Sequence, residues 1–296
     1  MFNHILSSRR GCAFFIGLFC FSVLAGCSAK SKTEVKKTKK VSTTTESVRK
    51  TIKKKQWVIE LDPGHGGVDS GAVGKFDGKK VLEKDVNLKI AYGISDALAS
   101  YPNIKIRMTR SSDTKPGLGE RVSKAKKDGA DFFISLHNNA YGDGVEYDHG
   151  CTVLVPTGYY RKEVASKAQV LGCHFLEQLK KTGLENQGFL MRTSEKNQKY
   201  PNGKLQDYYH VIQDSIYKNI PGVIVEHSFV DHAGDYQKFL SSDEKIQKMA
   251  KADAQAIVDY CLGSRQKGQQ NRQKVTLMVD GKKEHNQYFY RKFLLH

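Results

Sequence analysis

Between Trp57 and Leu262 short apolar runs alternate with longer stretches of helical periodicity, a spacing that only strands separated by helices satisfy. Trp57–Leu61, Ile104–Met108, Phe132–Leu136, Thr152–Val155, Tyr209–Ile212 and Val223–Val225 read as strands. Asp85–Leu98, Gly119–Lys127, Lys162–Lys181 and Asp243–Leu262 read as helices. The expected fold is α/β, a mostly parallel central sheet flanked by helices on both faces, of the phosphorylase/hydrolase-like kind. In such sheets ligands bind beyond the carboxyl ends of the strands. His65, His137 and Glu226 each follow a predicted strand and so fall on that edge.

The chain has 296 residues, enough for one large domain with flanking segments or for two small domains. Its net charge of +17 resembles a nucleic-acid signal until it is divided by segment. Residues 56–262 hold 27 basic and 27 acidic residues, whereas the nets are +2 for 1–27, +9 for 28–55 and +6 for 263–296. The excess therefore lies in the flanks, and nucleic acid is not expected as a partner.

Residues 1–27 read as a targeting segment: Arg9 and Arg10 precede the apolar run Gly11 to Gly26, which is short for a membrane span. It ends in Leu24-Ala25-Gly26-Cys27, which resembles the lipobox of bacterial lipoproteins. That resemblance implies cleavage before Cys27, lipidation of its thiol, and an exported domain anchored in the cell membrane and facing the wall. The alternative is a signal anchor with an incidental cysteine. Residues 28–55 contain no aromatic residue and no apolar periodicity, and read as a flexible basic tether. Its runs Lys36-Lys37, Lys39-Lys40 and Lys53-Lys54-Lys55 suit anionic lipid headgroups or anionic wall polymer. Of the cysteines beyond Cys27, Cys151 and Cys173 allow a bridge, but three buried free thiols with Cys261 is the expected state. Residues 263–296 form a basic polar tail with a strand-like patch at Lys274–Val279 and a turn at Asp280-Gly281, enough for a lone hairpin.

Four residues carry the chemistry. His65 sits in Asp62-Pro63-Gly64-His65-Gly66-Gly67, Glu83 in Val81-Leu82-Glu83, His137 in Ser135-Leu136-His137-Asn138-Asn139, and Glu226 in Val223-Ile224-Val225-Glu226-His227. A catalytic zinc takes three protein ligands, imidazole nitrogen or carboxylate oxygen, and keeps a position for water. His65, Glu83 and His137 supply such a set, with Asp62 or Asp69 available to orient a ligand. Taken singly, each has a plainer reading: a turn histidine, a favourable charge opening a helix, a strand-end histidine. Glu226 offers a carboxylate for proton transfer.

In their order and spacing these segments resemble the zinc-dependent N-acetylmuramoyl-L-alanine amidases of the amidase type 3 family, from Trp57 to about Leu262. Met108-Thr109-Arg110, Leu118-Gly119-Glu120-Arg121 and Ala130–Ala140 are similar to the family pattern as well. The resemblance implies that His65, Glu83 and His137 bind zinc, that Glu226 is catalytic, and that peptidoglycan is cut between muramic acid and L-alanine. The chain departs from the pattern after Glu226, where His227, Ser228, Asp231 and His232 stand. His227, next to Glu226 on a strand, should face the opposite side in a structural or rim role. Arg121 is a candidate for a substrate carboxylate or a structural ion pair, and Asn139 for steadying His137 or the substrate. Two other readings are an inactive, lipid-anchored wall-binding protein and an exported zinc amidohydrolase or peptidase of another substrate.

Overall fold

A computed structural model describes residues 55–141, 149–263, 271–283 and 287–291. The expectations placed on residues 1–54, including lipidation of Cys27, lie outside the described residues. Lys55, the first described residue, lies 3.6 Å from the Trp57 ring centre and pairs with Asp131 at 2.8 Å.

The elements in chain order are β1 (Trp57–Pro63), β2 (Val73–Phe76), β3 (Lys79–Leu82), α1 (Glu83–Leu98), β4 (Ile104–Met108), α2 (Leu118–Lys127), β5 (Phe132–Asn139), β6 (Cys151–Leu154), α3 (Lys162–Thr182) and β7 (Asn186–Arg192). There follow α4 (His210–Tyr217), β8 (Gly222–Phe229), α5 (Ala233–Asp235), a wide helical turn at Tyr236–Leu240, α6 (Asp243–Leu262), β9 (Asn271–Val279), β10 (Lys282–Lys283) and β11 (Gln287–Arg291).

The main sheet has the order β10-β9-β7-β6-β8-β5-β1-β4, with β11 on β9. Pairing is parallel from β4 through β1 and β5 to β8, and again from β6 through β7 to β9; the direction reverses once between these blocks, where β6 runs antiparallel to β8. The sheet is thus mostly parallel and α/β, as expected. The tail hairpin is not alone: β9 pairs with β7 from Phe189↔Val275 to Arg192↔Met278 and extends the main sheet.

Alternation along β5 divides the core. Phe132, Ile134 and Leu136 join the cluster formed with α1, α3 and α6, while Phe133 joins the one formed with α2 and α4. Helices therefore cover both faces, and each fully buried Leu, Ile or Phe contributes about 1.5–3 kcal/mol relative to exposure. By the same parity Ser135 and His137 share the α2 side of β5, and Ile224 and Glu226 share that side of β8.

One element differs in type from its sequence reading. Tyr209–Ile212, expected as a strand, belongs instead to the start of α4, because Val211, Ile212, Ser215 and Ile216 bury one helical stripe. Three strands were not anticipated, β2 and β3 of one hairpin and β7. Cys151, Cys173 and Cys261 form no disulfide; the first two are buried as expected, whereas Cys261, near the end of α6, is only partly buried.

Candidate metal centre and adjoining cavity

The turn after β1 is held from behind by two buried arginines. Arg110 donates to the Pro63 and Gly64 carbonyls at 2.8 and 2.9 Å. Arg121, 4 % exposed, donates to the Pro63 and His65 carbonyls at 3.0 and 2.9 Å and pairs with Asp62 at 2.8 Å. Its Nε donates to the Pro116 carbonyl at 3.2 Å, so Arg121 is turned inward with most of its donors occupied. Of the two roles expected of Arg121, these bonds favour the structural ion pair, with Arg121 as the brace of the His65 turn. Asp62 is taken up in the same brace, accepting from Thr109 and Ser135 as well.

That bracing holds His65 at φ 61°, a left-handed conformation that a side chain other than glycine adopts only under constraint. His65 Nδ1 meets Asp69 at 3.0 Å and Nε2 meets Glu83 Oε2 at 3.1 Å. Asp69 thus fixes the ring and leaves Nε2 facing the cluster, the usual support of a ligating histidine. Glu83, the first residue of α1, accepts from the Ala72 amide at 2.8 Å, lies 2.8 Å from His137 Nδ1, and is also bonded to Asn87. One ligand atom from each of His65, Glu83 and His137 lies within 4.8 Å of the others.

The backbone leaves room for this approach. A Cβ built on Gly64 would run into the His137 ring, and one on Gly71, at φ +63°, would meet both Glu83 and His65. Burial opposes ionisation of Glu83, yet the bonds from His137 and His65 outweigh it and hold the carboxyl below the usual carboxylate range. Two imidazoles around one ionised, nearly buried carboxylate form a donor set that fits a metal ion.

Glu226 stands in register with His137 across β5 and β8 and with Thr152 across β8 and β6. Its Oε2 is buried without a hydrogen-bond partner among the described residues. Burial is the main force pushing its carboxyl up to about 7, with His137 pulling the other way. Glu226 and Asn139 open onto a cavity of about 280 Å3 that continues past Thr152, Leu154 and Leu190 to Arg192, Tyr208 and Tyr209. Arg192, Tyr208 and Tyr209 were not singled out from the sequence, since strand pairing of β7 and the bond from the Tyr208 amide to the Arg192 carbonyl, not chain proximity, gather them beside Glu226.

His227 faces the other side of β8. Its Nδ1–H donates to the His137 carbonyl and its Nε2 meets Asp253 of α6, both at 2.8 Å. Ser228 donates to Asn138 at 2.8 Å, and Asn138 donates to Asn87 at 2.9 Å. The residues that depart from the family pattern thus form buried bonds under the cluster. Asp231 accepts from the Tyr141 amide, and His232 caps α5 through Asp235.

A metal-fit cluster beside a buried carboxyl oxygen, on a mixed α/β sheet, is the donor set that metal-assisted hydrolysis calls for. Residues 59–259 match the family model described as N-acetylmuramoyl-L-alanine amidase, and the chain belongs to that family. It is 29 % identical over 201 residues to the sporulation-specific N-acetylmuramoyl-L-alanine amidase of Bacillus subtilis, covering 67 % of this chain and 66 % of that one. It is 50 % identical over 84 residues to the amidase AmiC of Escherichia coli, covering 28 % of this chain and 19 % of that one. The chain thus spans less than two thirds of the length of these two relatives. Among solved structures, the catalytic domain of CwlV from Bacillus (Paenibacillus) polymyxa is similar with a TM-score of 0.52 at 28 % identity, over 69 % of this chain and 97 % of that one.

Proposed function

We propose that the chain is a zinc-dependent amidase that cleaves the bond between N-acetylmuramic acid and L-alanine in peptidoglycan. The observation that carries this reading is the convergence of His65, Glu83 and His137 donor atoms within 4.8 Å, beside a buried Glu226 oxygen without a partner among the described residues. Membership of the amidase family supports the substrate. A zinc ion held by His65, Glu83 and His137 would polarise the scissile carbonyl and lower the pKa of an attacking water. Glu226 takes the proton from that water and returns it to the leaving amine; a carboxyl near 7 is suited to both steps. Asp69 holds His65 in the ligating orientation, and Asn139 contacts substrate at the mouth of the cavity.

The exported, lipid-anchored location belongs to the same proposal and rests on Leu24-Ala25-Gly26-Cys27 and the basic residues of 28–55. Among the described residues no helix is long and apolar enough to cross a membrane. Labelled palmitate should enter the wild-type chain and not Cys27→Ala.

The decisive experiment incubates the purified full chain with peptidoglycan, with and without a chelator, and identifies the new ends by mass. Free lactyl carboxyls paired with new L-alanine amines, abolished by the chelator, are expected. New ends at another bond would overturn the substrate, and release that ignores the chelator would overturn the metal.

A further inference from the structure

The cavity lined by Glu226 is also lined by an arginine, Arg192. Arg192, the last residue of β7, lies with its guanidinium 3.7 Å from the Tyr208 ring centre. Glu195 accepts from its Nε at 3.1 Å and from Nη2 through the same oxygen. Stacking and pairing fix the plane of the guanidinium while the side chain still lines the cavity, together with Tyr209. Leu154 and Leu190 line the same cavity.

Register gives its length. Leu190 pairs with Leu154, Leu154 pairs with Ile224, and Arg192 and Glu226 lie two positions beyond this row in opposite directions. Four residues along the strands and two strands across separate the two backbones by roughly 16 Å. That is at most about five extended residues, less the reach of the Arg192 and Glu226 side chains, so a carboxylate within the first few residues of a bound peptide falls in range. A slot of about 280 Å3 with an apolar stretch suits a short peptide, whereas a glycan strand must leave at both ends.

We propose that Arg192, seated on Tyr208 and beside Tyr209, binds a carboxylate of the stem peptide two to three residues beyond the scissile amide, and so makes the chain selective for stems with free carboxylates. The proposal rests on the amidase reading for its substrate. Glu195 takes Nε and one Nη2 hydrogen, so it is the Nη1–Nη2 edge of Arg192 that meets a carboxylate through parallel hydrogen bonds, and a carboxamide in the same place cannot supply the matching charge.

The test compares N-acetylmuramoyl-tripeptides whose second and third residues carry free carboxylates with the same tripeptides as carboxamides. The wild-type chain should show a KM about 10-fold or more lower for the carboxylate form, with similar kcat. The ratio of the two KM values should fall to near one in Arg192→Gln and take an intermediate value in Arg192→Lys. Because the ratio is internal to each variant, a general loss of folded protein cancels. A wild type indifferent to amidation, or an unchanged ratio in Arg192→Gln, overturns the proposal. Calorimetric titration with the free tripeptide and its carboxamide reads the same preference without turnover. If the wild type released no peptide at all, the amidase reading would fall, and the calorimetric difference between wild type and Arg192→Gln would still decide the role of Arg192.

Discussion

The Nε2 of His227 and the Oδ2 of Asp253 lie 2.8 Å apart, and neither side chain has any exposed surface. Because His227 Nδ1–H also donates to the His137 carbonyl, this pair ties α6 to the strand that carries a cluster histidine. Removing one partner of a buried pair strands the other without water or counter-charge. Asp253→Ala should therefore cost about 3–5 kcal/mol in urea unfolding. The double variant His227→Val/Asp253→Leu should recover most of that loss, and a single-variant cost under about 1 kcal/mol would show that the pair is not a strut.

Glu226 is read as the proton carrier and not as a ligand. Glu226→Gln should lower kcat by about 10²–10⁴-fold while zinc content, measured by elemental analysis, stays at the wild-type level. Loss of zinc in this variant would instead place Glu226 among the ligands.

The cluster should stabilise the fold when filled, because an ion that binds the native state and not the unfolded chain shifts the equilibrium by mass action. Zinc at 100 times its Kd should add about 2.7 kcal/mol and raise Tm, and a chelator should reverse the rise. Gly64→Ala drives a Cβ into the His137 ring, so its Tm should respond less to zinc than that of the wild type. An undiminished response would mean that the close approach of Gly64 is immaterial.

Glu60 lies buried on β1, 3.4 Å from Lys124, with its Oε2 unpartnered among the described residues. Burial pushes its carboxyl from 4.5 up to about 7, against the pull of Lys124. The unfolded chain releases this proton first, so the contribution of Glu60 to stability is full below about pH 4.5 and lost as pH rises through about 7. Glu60→Gln cannot ionise. It should match the wild type at pH 4 and exceed it by about 1–3 kcal/mol at pH 8, followed by denaturation at both values.

The sheet centre was legible because β1, β5 and β8 are covered on both faces and read as short apolar runs, broken only by Glu60 in β1 and Ser135 in β5. Asp243–Leu262 was legible from its periodicity, and Ser242 caps it by accepting from the Lys245 amide. The β2–β3 hairpin escaped notice because Lys79 and Lys80 hide its alternation, although Asp77-Gly78, both at positive φ, is a strong turn signal. β7 escaped because Asn186-Gln187-Gly188 and Arg192 leave only Phe189-Leu190-Met191 as an apolar core. Tyr209–Ile212 misled because aromatic and β-branched residues favour a strand locally, while the buried stripe that makes it helical runs on to Ser215 and Ile216. At the site, His65, Glu83, His137 and Glu226 each sit in a distinctive local segment. Arg192, Tyr208 and Tyr209 do not: the pairing of β6 with β7 and β8 brings Arg192 into the same cavity as Glu226, and the Tyr208 amide, bonded to the Arg192 carbonyl at 2.9 Å, brings the tyrosines with it.

The partnership of β9 with β7 bears on where the chain can be cut. The family match ends at residue 259, and a polypeptide stopped after Leu262 would keep the whole cluster. It would also expose the ladder from Phe189 to Arg192 as a bare sheet margin, ready to zip onto another molecule. The basic tail thus shields a sticky seam beside the cavity, and a protein trimmed to its conserved-looking length would be the one to precipitate.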